Sequence, residues 1–111
     1  MPTAPKLTTE QRTRALADAA EARALRATAR AELKAGELSL ADFLTRAETD
    51  PRLAAMRVSA LVSALPGYGE ARSTALLAEL GIAQSRRIRG LGPRQRESLL
   101  TRLTDRAQSR S

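Results

Sequence analysis

The sequence predicts an all-α protein, a long N-terminal helix leading into a set of shorter ones. Three observations carry this reading. Apolar residues recur at helical spacing in most segments, no stretch alternates with period two over a useful length, and from Thr8 nothing breaks a helix until Gly36. At 111 residues the chain fits one domain with a modest core that needs no metal or disulfide.

Residues 1–7 hold two prolines and little pattern, so they are expected to be a flexible start. The long helix is placed at 8–36, with Thr8 as its cap and Gln11 three residues on, the spacing of a capping box. About 28 residues span roughly 42 Å at 1.5 Å per residue. A domain of this size has a radius of gyration of only ~13 Å, so the helix cannot be buried along its whole length. At ~100° per residue, Ala15, Ala22, Leu25, Ala29 and Leu33 form a thin apolar stripe. Arg12, Arg23, Arg26, Arg30 and Lys34 fall beside it, and Glu10, Asp18, Glu21 and Glu32 lie across from them. Two readings of that face stand side by side. It is a solvated face with intrahelical ion pairs such as Glu21 with Arg14 or Arg26, or it is a second contact for a polyanion.

The next helix takes Ser39 as cap and Asp42 at the third position, ends near Asp50 and Pro51, and buries Leu40, Phe43 and Leu44. Leu53 to Leu65 reads as one helix around Val58, Leu61, Val62 and Leu65, stopped by Pro66-Gly67. Glu70 to Leu80 is expected to turn Ala71, Ala75, Leu76, Leu77 and Leu80 inward, with Gly81 at its C-terminal cap. A short helical turn is placed over Gln84 to Ile88. The last helix opens at Gly92 or Pro93, since proline suits the first helical position, and faces Leu99, Leu100 and Leu103 to the core.

With no cysteine and no histidine, disulfides, thiol nucleophiles, imidazole chemistry and Cys/His zinc sites are all excluded. No cofactor is implied. Phe43 and Tyr68 are the only aromatic residues, so there is no stacking platform for single-stranded bases. No apolar stretch approaches the roughly 20 residues of a membrane span, and "MPTAPKLTTEQ" carries no apolar signal segment, so no membrane partner and a cytoplasmic location are expected. The net charge is +7, and all but Lys6 and Lys34 of the 19 basic residues are arginine, the planar donor suited to phosphate. From Arg86 onward, Arg86, Arg87, Arg89, Arg94, Arg96, Arg102, Arg106 and Arg110 face only Glu97 and Asp105. Nearly all the excess charge is therefore local, and it lies on segments that read as structured. Such a concentration points to an anionic polymer.

Two helix entries run through paired glycines, Gly67-Tyr68-Gly69 and Gly90-Leu91-Gly92. Each places backbone N–H groups, freed of side-chain bulk, at the positive end of a helix dipole, where a phosphate can be held without contact to any base. Paired glycines also serve ordinary tight turns, but here "SRRIRG" precedes the second turn and "PRQR" follows it. Arg94 and Arg96 sit in the first turn of a helix, where cations oppose the dipole, which implies a compensating anion nearby.

"MRVSALVSALPGYGEARSTALLAELGI" followed by "SRRIRGLGPRQRESLL" closely resembles the actinobacterial integration host factors of the mycobacterial and streptomycete type, unrelated in fold to the enteric heterodimer of that name. The resemblance runs from about Leu7 to Leu103. It implies a helix-two-turns-helix domain, here 37–106, of the kind seen in a small-subunit ribosomal protein and some DNA glycosylases, carrying a long N-terminal helix; the residues beyond Arg106 are themselves expected to be a frayed, flexible tail, 107–111. It implies a nucleoid-associated protein that binds double-stranded DNA with little sequence preference, bends or compacts it, affects supercoiling and supports phage integration, so that a phage integrase–DNA complex is a further expected partner. Arg86, Arg87 and Arg89 look like the family's DNA-contacting cluster, Gly67 and Gly69 match its hairpin, and Gly90 and Gly92 its second turn. Glu70 departs from the family's lysine, with Arg72 two residues later as substitute, and Ala55-Met56-Arg57 departs from Lys-Met-Lys.

The expected interface is thus Arg86, Arg87, Arg89 and Arg94 with Gly67, Tyr68, Gly69, Gly90 and Gly92, assisted by Arg72 and by Arg23, Arg26 and Arg30 of the long helix. The protein is expected to be a monomer in solution. An RNA- or ribosome-binding module of the same fold is the alternative. A glycosylase working through an exposed Pro2 is disfavoured, because no zinc finger, no catalytic acid beside Pro2 and no room for a second domain are present.

Overall fold

The computed structural model describes residues 8–108, with side chains through Leu103. Residues 1–7, expected as a flexible start and including Pro2, and most of the tail expected from 107 lie outside the described residues. The molecule is all-α: α1 Thr9–Lys34, α2 Leu40–Thr49, α3 Pro51–Ala54, α4 Val58–Ala64, α5 Glu70–Leu80, a single 3-10 turn Ile88–Gly90 and α6 Pro93–Gln108.

The capping box at the head of α1 forms as its spacing requires. The Gln11 amide donates to Thr8 Oγ1 at 3.0 Å and the Thr8 amide to Gln11 Oε1 at 2.9 Å. At the other end Gly36, at φ 77°, turns the chain, and the Gly36 and Glu37 amides donate back to the carbonyls of Leu33 and Glu32. A side chain at that φ would be strained, which is why glycine stops the helix there. Of the apolar stripe, Ala29 and Leu33 are buried, Ala22 and Leu25 are half-buried, and Ala15 is exposed. Every residue from Thr9 to Glu21 is exposed, Leu16 by 67%. The N-terminal half of α1 therefore projects from the body, and the molecule measures 59 × 30 × 25 Å.

Leu33, Phe43, Leu44, Leu61, Leu77 and Leu99 form the closed centre of the core. Ser39 caps α2 by accepting the Asp42 amide at 3.1 Å, and α2 buries Ala47 along with Leu40, Phe43 and Leu44.

Three sequence expectations are corrected. The segment 53–65 is not one helix, because Ala55 to Arg57 break it into α3 and α4. The reason is tertiary: Arg57 forms an isolated antiparallel bridge with Arg87, in which the Val58 amide donates to the Arg86 carbonyl and the Ile88 amide to the Met56 carbonyl, each at 2.9 Å. The Val58 amide and the Met56 carbonyl thus leave the helix ladder for partners about thirty residues away. Second, the helical turn expected at Gln84 to Ile88 sits at Ile88–Gly90, since Arg87 is committed to that bridge. Third, Ala71 and Ala75 of α5 are exposed, and Ser73 takes the inward position between them. Ser73 is 1% exposed, and its hydroxyl donates to the Ser59 carbonyl at 3.2 Å, so a polar residue packs α5 onto α4 without an unsatisfied group.

Candidate nucleic-acid interface

The bridge explains how the segment Arg86 to Gly90 presents its charges. Side chains alternate across a strand. Met56, Val58 and Ile88 point inward and are buried, so Arg57 and Arg87 point to solvent. Arg87 then folds along the surface, and its Nη1 donates to the Ala55 carbonyl. Arg86 turns the other way and donates from Nη1 to the Gly90 carbonyl at 3.0 Å, its Cδ lying 3.2 Å from where a Cβ on Gly90 would stand. Glycine at 90 thus lets an arginine lie flat across the 3-10 turn. Arg89 is exposed and makes no hydrogen bond or ion pair among the described residues.

A guanidinium carries five N–H donors in a fixed fork. One bond to a carbonyl leaves the rest of Arg86 and Arg87 directed at solvent, with much of their rotamer freedom already removed. Such a fork of spare donors is chemically suited to an anion.

The glycine turns contribute unequally. At the first, Gly67 takes φ 81°, Gly69 opens α5 with no side chain capping it, and Arg72 Nη1 reaches back to the Gly67 carbonyl at 3.1 Å. Glu70 is the exposed first residue of α5. Tyr68 is half-buried and packs against the core, its amide donating to the Leu65 carbonyl at 3.1 Å. At the second turn the Gly90 amide is used within the 3-10 turn, and the Gly92 amide donates to Gln95 Oε1 at 3.2 Å. An anion there would have to displace the Gln95 side chain to use the Gly92 donor, whereas no side chain guards the start of α5.

Arg94 and Arg96, paired by sequence, part company. Arg96 Nη1 lies 2.9 Å from Glu48 Oε1 on α2, so the anion that compensates it belongs to the protein itself. Arg94 is exposed and lines an open cleft with Leu80, Glu97, Ser98, Thr101 and Arg102.

On α1, Arg23 and Arg30 are exposed and unpaired among the described residues. Arg26 is half-buried, with Nη1 3.5 Å from the Arg52 carbonyl on α3. The ion pairs of Glu21 with Arg14 or Arg26 do not form among the described residues; Glu32 pairs instead with Arg46 of α2 at 3.9 Å. The carbonyls that receive Arg26 and Arg87 belong to Arg52 and Ala55, three residues apart on one helical turn. The short helix α3 therefore draws the α1 basic face and the Arg86–Arg89 segment together. Arg52 adds no free charge, because Asp50 binds it through both carboxylate oxygens at 3.1 Å. That pairing holds the Asp50 carboxyl below the usual aspartate range.

Arg57, which keeps one cation of the family's Lys-Met-Lys stretch, was not among the residues expected at the interface. The structure sets it beside Arg87, exposed and with its side chain in no hydrogen bond or ion pair among the described residues. The alternation Met56-Arg57-Val58 was the only local sign of the bridge, and three residues are too few to announce a strand. No group of residues suited to hold a metal ion is present, and no helix is long and apolar enough to cross a membrane, among the described residues.

Residues 33–103 match the family model of the S13-like H2TH domain. The chain is 51% identical over 96 residues to an integration host factor of Mycolicibacterium smegmatis, covering 86% of this chain and 91% of that protein. It is 43% identical over 95 residues to one of Streptomyces coelicolor, covering 86% and 89%. A solved structure of sIHF bound to an 8-bp palindromic DNA superposes with a TM-score of 0.75 at 39% identity, over 77% of this chain and 96% of that one.

Proposed function

The chain belongs to the integration host factor family, built on an S13-like H2TH domain, and from that premise we propose that it is a nucleoid-associated protein that binds double-stranded DNA through its phosphates. The observation that carries this reading is the Arg86 to Gly90 segment, where two guanidiniums are latched to carbonyls beside a third that is free. The similar solved chain is a DNA complex, which supports a duplex as the partner.

In this mechanism Arg86, Arg87 and Arg89 supply most of the affinity. Gly67, Gly69 and the uncapped start of α5 supply main-chain donors, and Arg72 holds the hairpin while offering charge to offset Glu70. Arg94 extends the contact along α6. Arg23, Arg26 and Arg30 reach the same duplex or a neighbouring one. All of these touch the backbone, so sequence preference is weak. Two separated basic surfaces on a rigid body bend the duplex around it. Bending and compaction are the route by which the protein would alter supercoiling and assist site-specific recombination, including a phage integrase–DNA complex, acting as a monomer without enzymatic activity.

Five to eight phosphate contacts predict a slope of log K on log[salt] of roughly −4 to −7. Fluorescence anisotropy with a labelled duplex across a salt series checks this, and a slope near zero removes the electrostatic mechanism. Replacing Arg86, Arg87 and Arg89 together by alanine weakens binding to unrelated duplexes alike; unchanged affinity contradicts the assignment. An RNA duplex or hairpin bound more tightly than DNA at equal salt makes the protein an RNA-binding module instead.

A further inference from the structure

The bridge between Arg57 and Arg87 leaves one electrostatic conflict unresolved. Its two hydrogen bonds, from Val58 to Arg86 and from Ile88 to Met56, flank the paired residues, which makes Arg57 and Arg87 a non-hydrogen-bonded antiparallel pair. In that pairing the Cα atoms approach to about 4.5 Å and side chains lie closest. Like charges set directly opposite in this way are destabilising. No acid answers them: Arg57 has no partner among the described residues, and Arg87 donates to a neutral carbonyl. By contrast, Arg46, Arg52, Arg96 and Arg102 each pair with a carboxylate.

We propose that Arg57 and Arg87 form a clasp for a single phosphate group of duplex DNA, the anion supplying the charge that the bridge lacks. Arg87 is the fixed jaw, held by the Ala55 carbonyl, and Arg57 is the mobile one. Each keeps N–H donors for the phosphate oxygens, and a rigid backbone bridge sets their spacing. This deepens the DNA-binding reading and rests on it. It adds Arg57, on the opposite strand of the bridge, to the cluster that lies at Arg86 to Arg89.

The test compares wild type with Arg57→Ala, Arg57→Lys, Arg87→Ala and the double alanine variant on one 20-bp duplex across a salt series, with helical CD recorded for each. Arg57→Ala is expected to lose about 3- to 10-fold in affinity at 0.1 M salt and to lower the magnitude of the slope by about one. Arg57→Lys keeps the slope, because charge is retained, and loses part of the affinity with the planar fork. Sharing one phosphate makes the losses non-additive, so the double variant binds more tightly than the product of the single losses predicts. In the free protein at low ionic strength, Arg57→Ala leaves the melting temperature equal or higher, and added sodium phosphate raises it less than in wild type. An unchanged slope for Arg57→Ala, or additive losses, overturns the clasp while leaving DNA binding intact. A wild-type protein that binds no duplex instead removes the functional reading beneath it. If Arg57→Ala changes the CD spectrum, Arg57→Gln takes its place, and equal slopes for Gln and Lys overturn the proposal.

Discussion

Arg86, Arg87 and Arg89 read as one cluster in sequence, yet their side chains do three different things. One lies over Gly90, one reaches back to Ala55, and one stands free. Alanine at 89 therefore removes charge alone, whereas alanine at 86 or 87 also removes a bond to the backbone. Asp50 shows a residue whose charge state matters for stability. Its side chain accepts the Arg52 amide at 3.0 Å as cap of α3 and holds the Arg52 guanidinium. The guanidinium lowers the carboxyl's pKa in the folded state. A depressed folded pKa contributes stability above the ordinary aspartate value, and that contribution is lost as pH falls through the folded pKa, below about pH 4. Asp50→Asn keeps a capping side chain and cannot titrate. Thermal melts between pH 7 and pH 2 should show the variant slightly less stable at neutrality, a shallower acid decline for it, and the two proteins converging at low pH. The difference is small because the pair is exposed to solvent.

At the scale of elements, α1 is held by its second half alone. Leu33 is fully buried and Ala29 nearly so, while every residue from Thr9 to Glu21 is exposed. Leu33→Ala should cost about 2–5 kcal/mol in chemical denaturation followed by CD, as for other buried leucines. A loss below about 1 kcal/mol would mean that α1 is not anchored as described. The division of 53–65 into α3 and α4 has the same tertiary logic. Helical spacing runs straight through Ala55 to Arg57, and no glycine or proline marks the break. Pairing with residues 86–88 decides it, and nothing within the segment records that partner. The 3-10 turn at Ile88–Gly90 is displaced from its expected place for the same reason. Ser73 in place of Ala71 and Ala75 is a subtler miss, since hydroxyl burial depends on a carbonyl that a neighbouring helix happens to offer.

Across the whole molecule, α3 joins two basic surfaces that sequence places sixty residues apart. Arg26 of α1 and Arg87 of the bridge are received one helical turn from each other, while Arg23 and Arg30 lie free on the exposed face of α1. The combined variant Arg23→Glu, Arg30→Glu should leave stability within about 0.5 kcal/mol, as surface changes do. On a short duplex its affinity should fall modestly, and bending of a long duplex, measured by end-to-end energy transfer, should fall much more. Undiminished bending would detach α1 from the DNA contact.

By itself the amino-acid sequence determined the all-α class, the capped ends of α1 and α2, the glycine stops at Gly36 and Gly81, most of the core, and the gathering of positive charge after Arg86. Each of these follows from local chemistry: periodicity, capping hydroxyls, a left-handed glycine, a count of charges. The tertiary structure alone decided where the helix at 53–65 breaks, that Glu48 neutralises Arg96 and Glu79 neutralises Arg102, and that Arg57 stands opposite Arg87. Those outcomes depend on pairings between residues far apart in sequence, from Glu79 with Arg102 to Glu48 with Arg96, and no local pattern encodes which pairing wins.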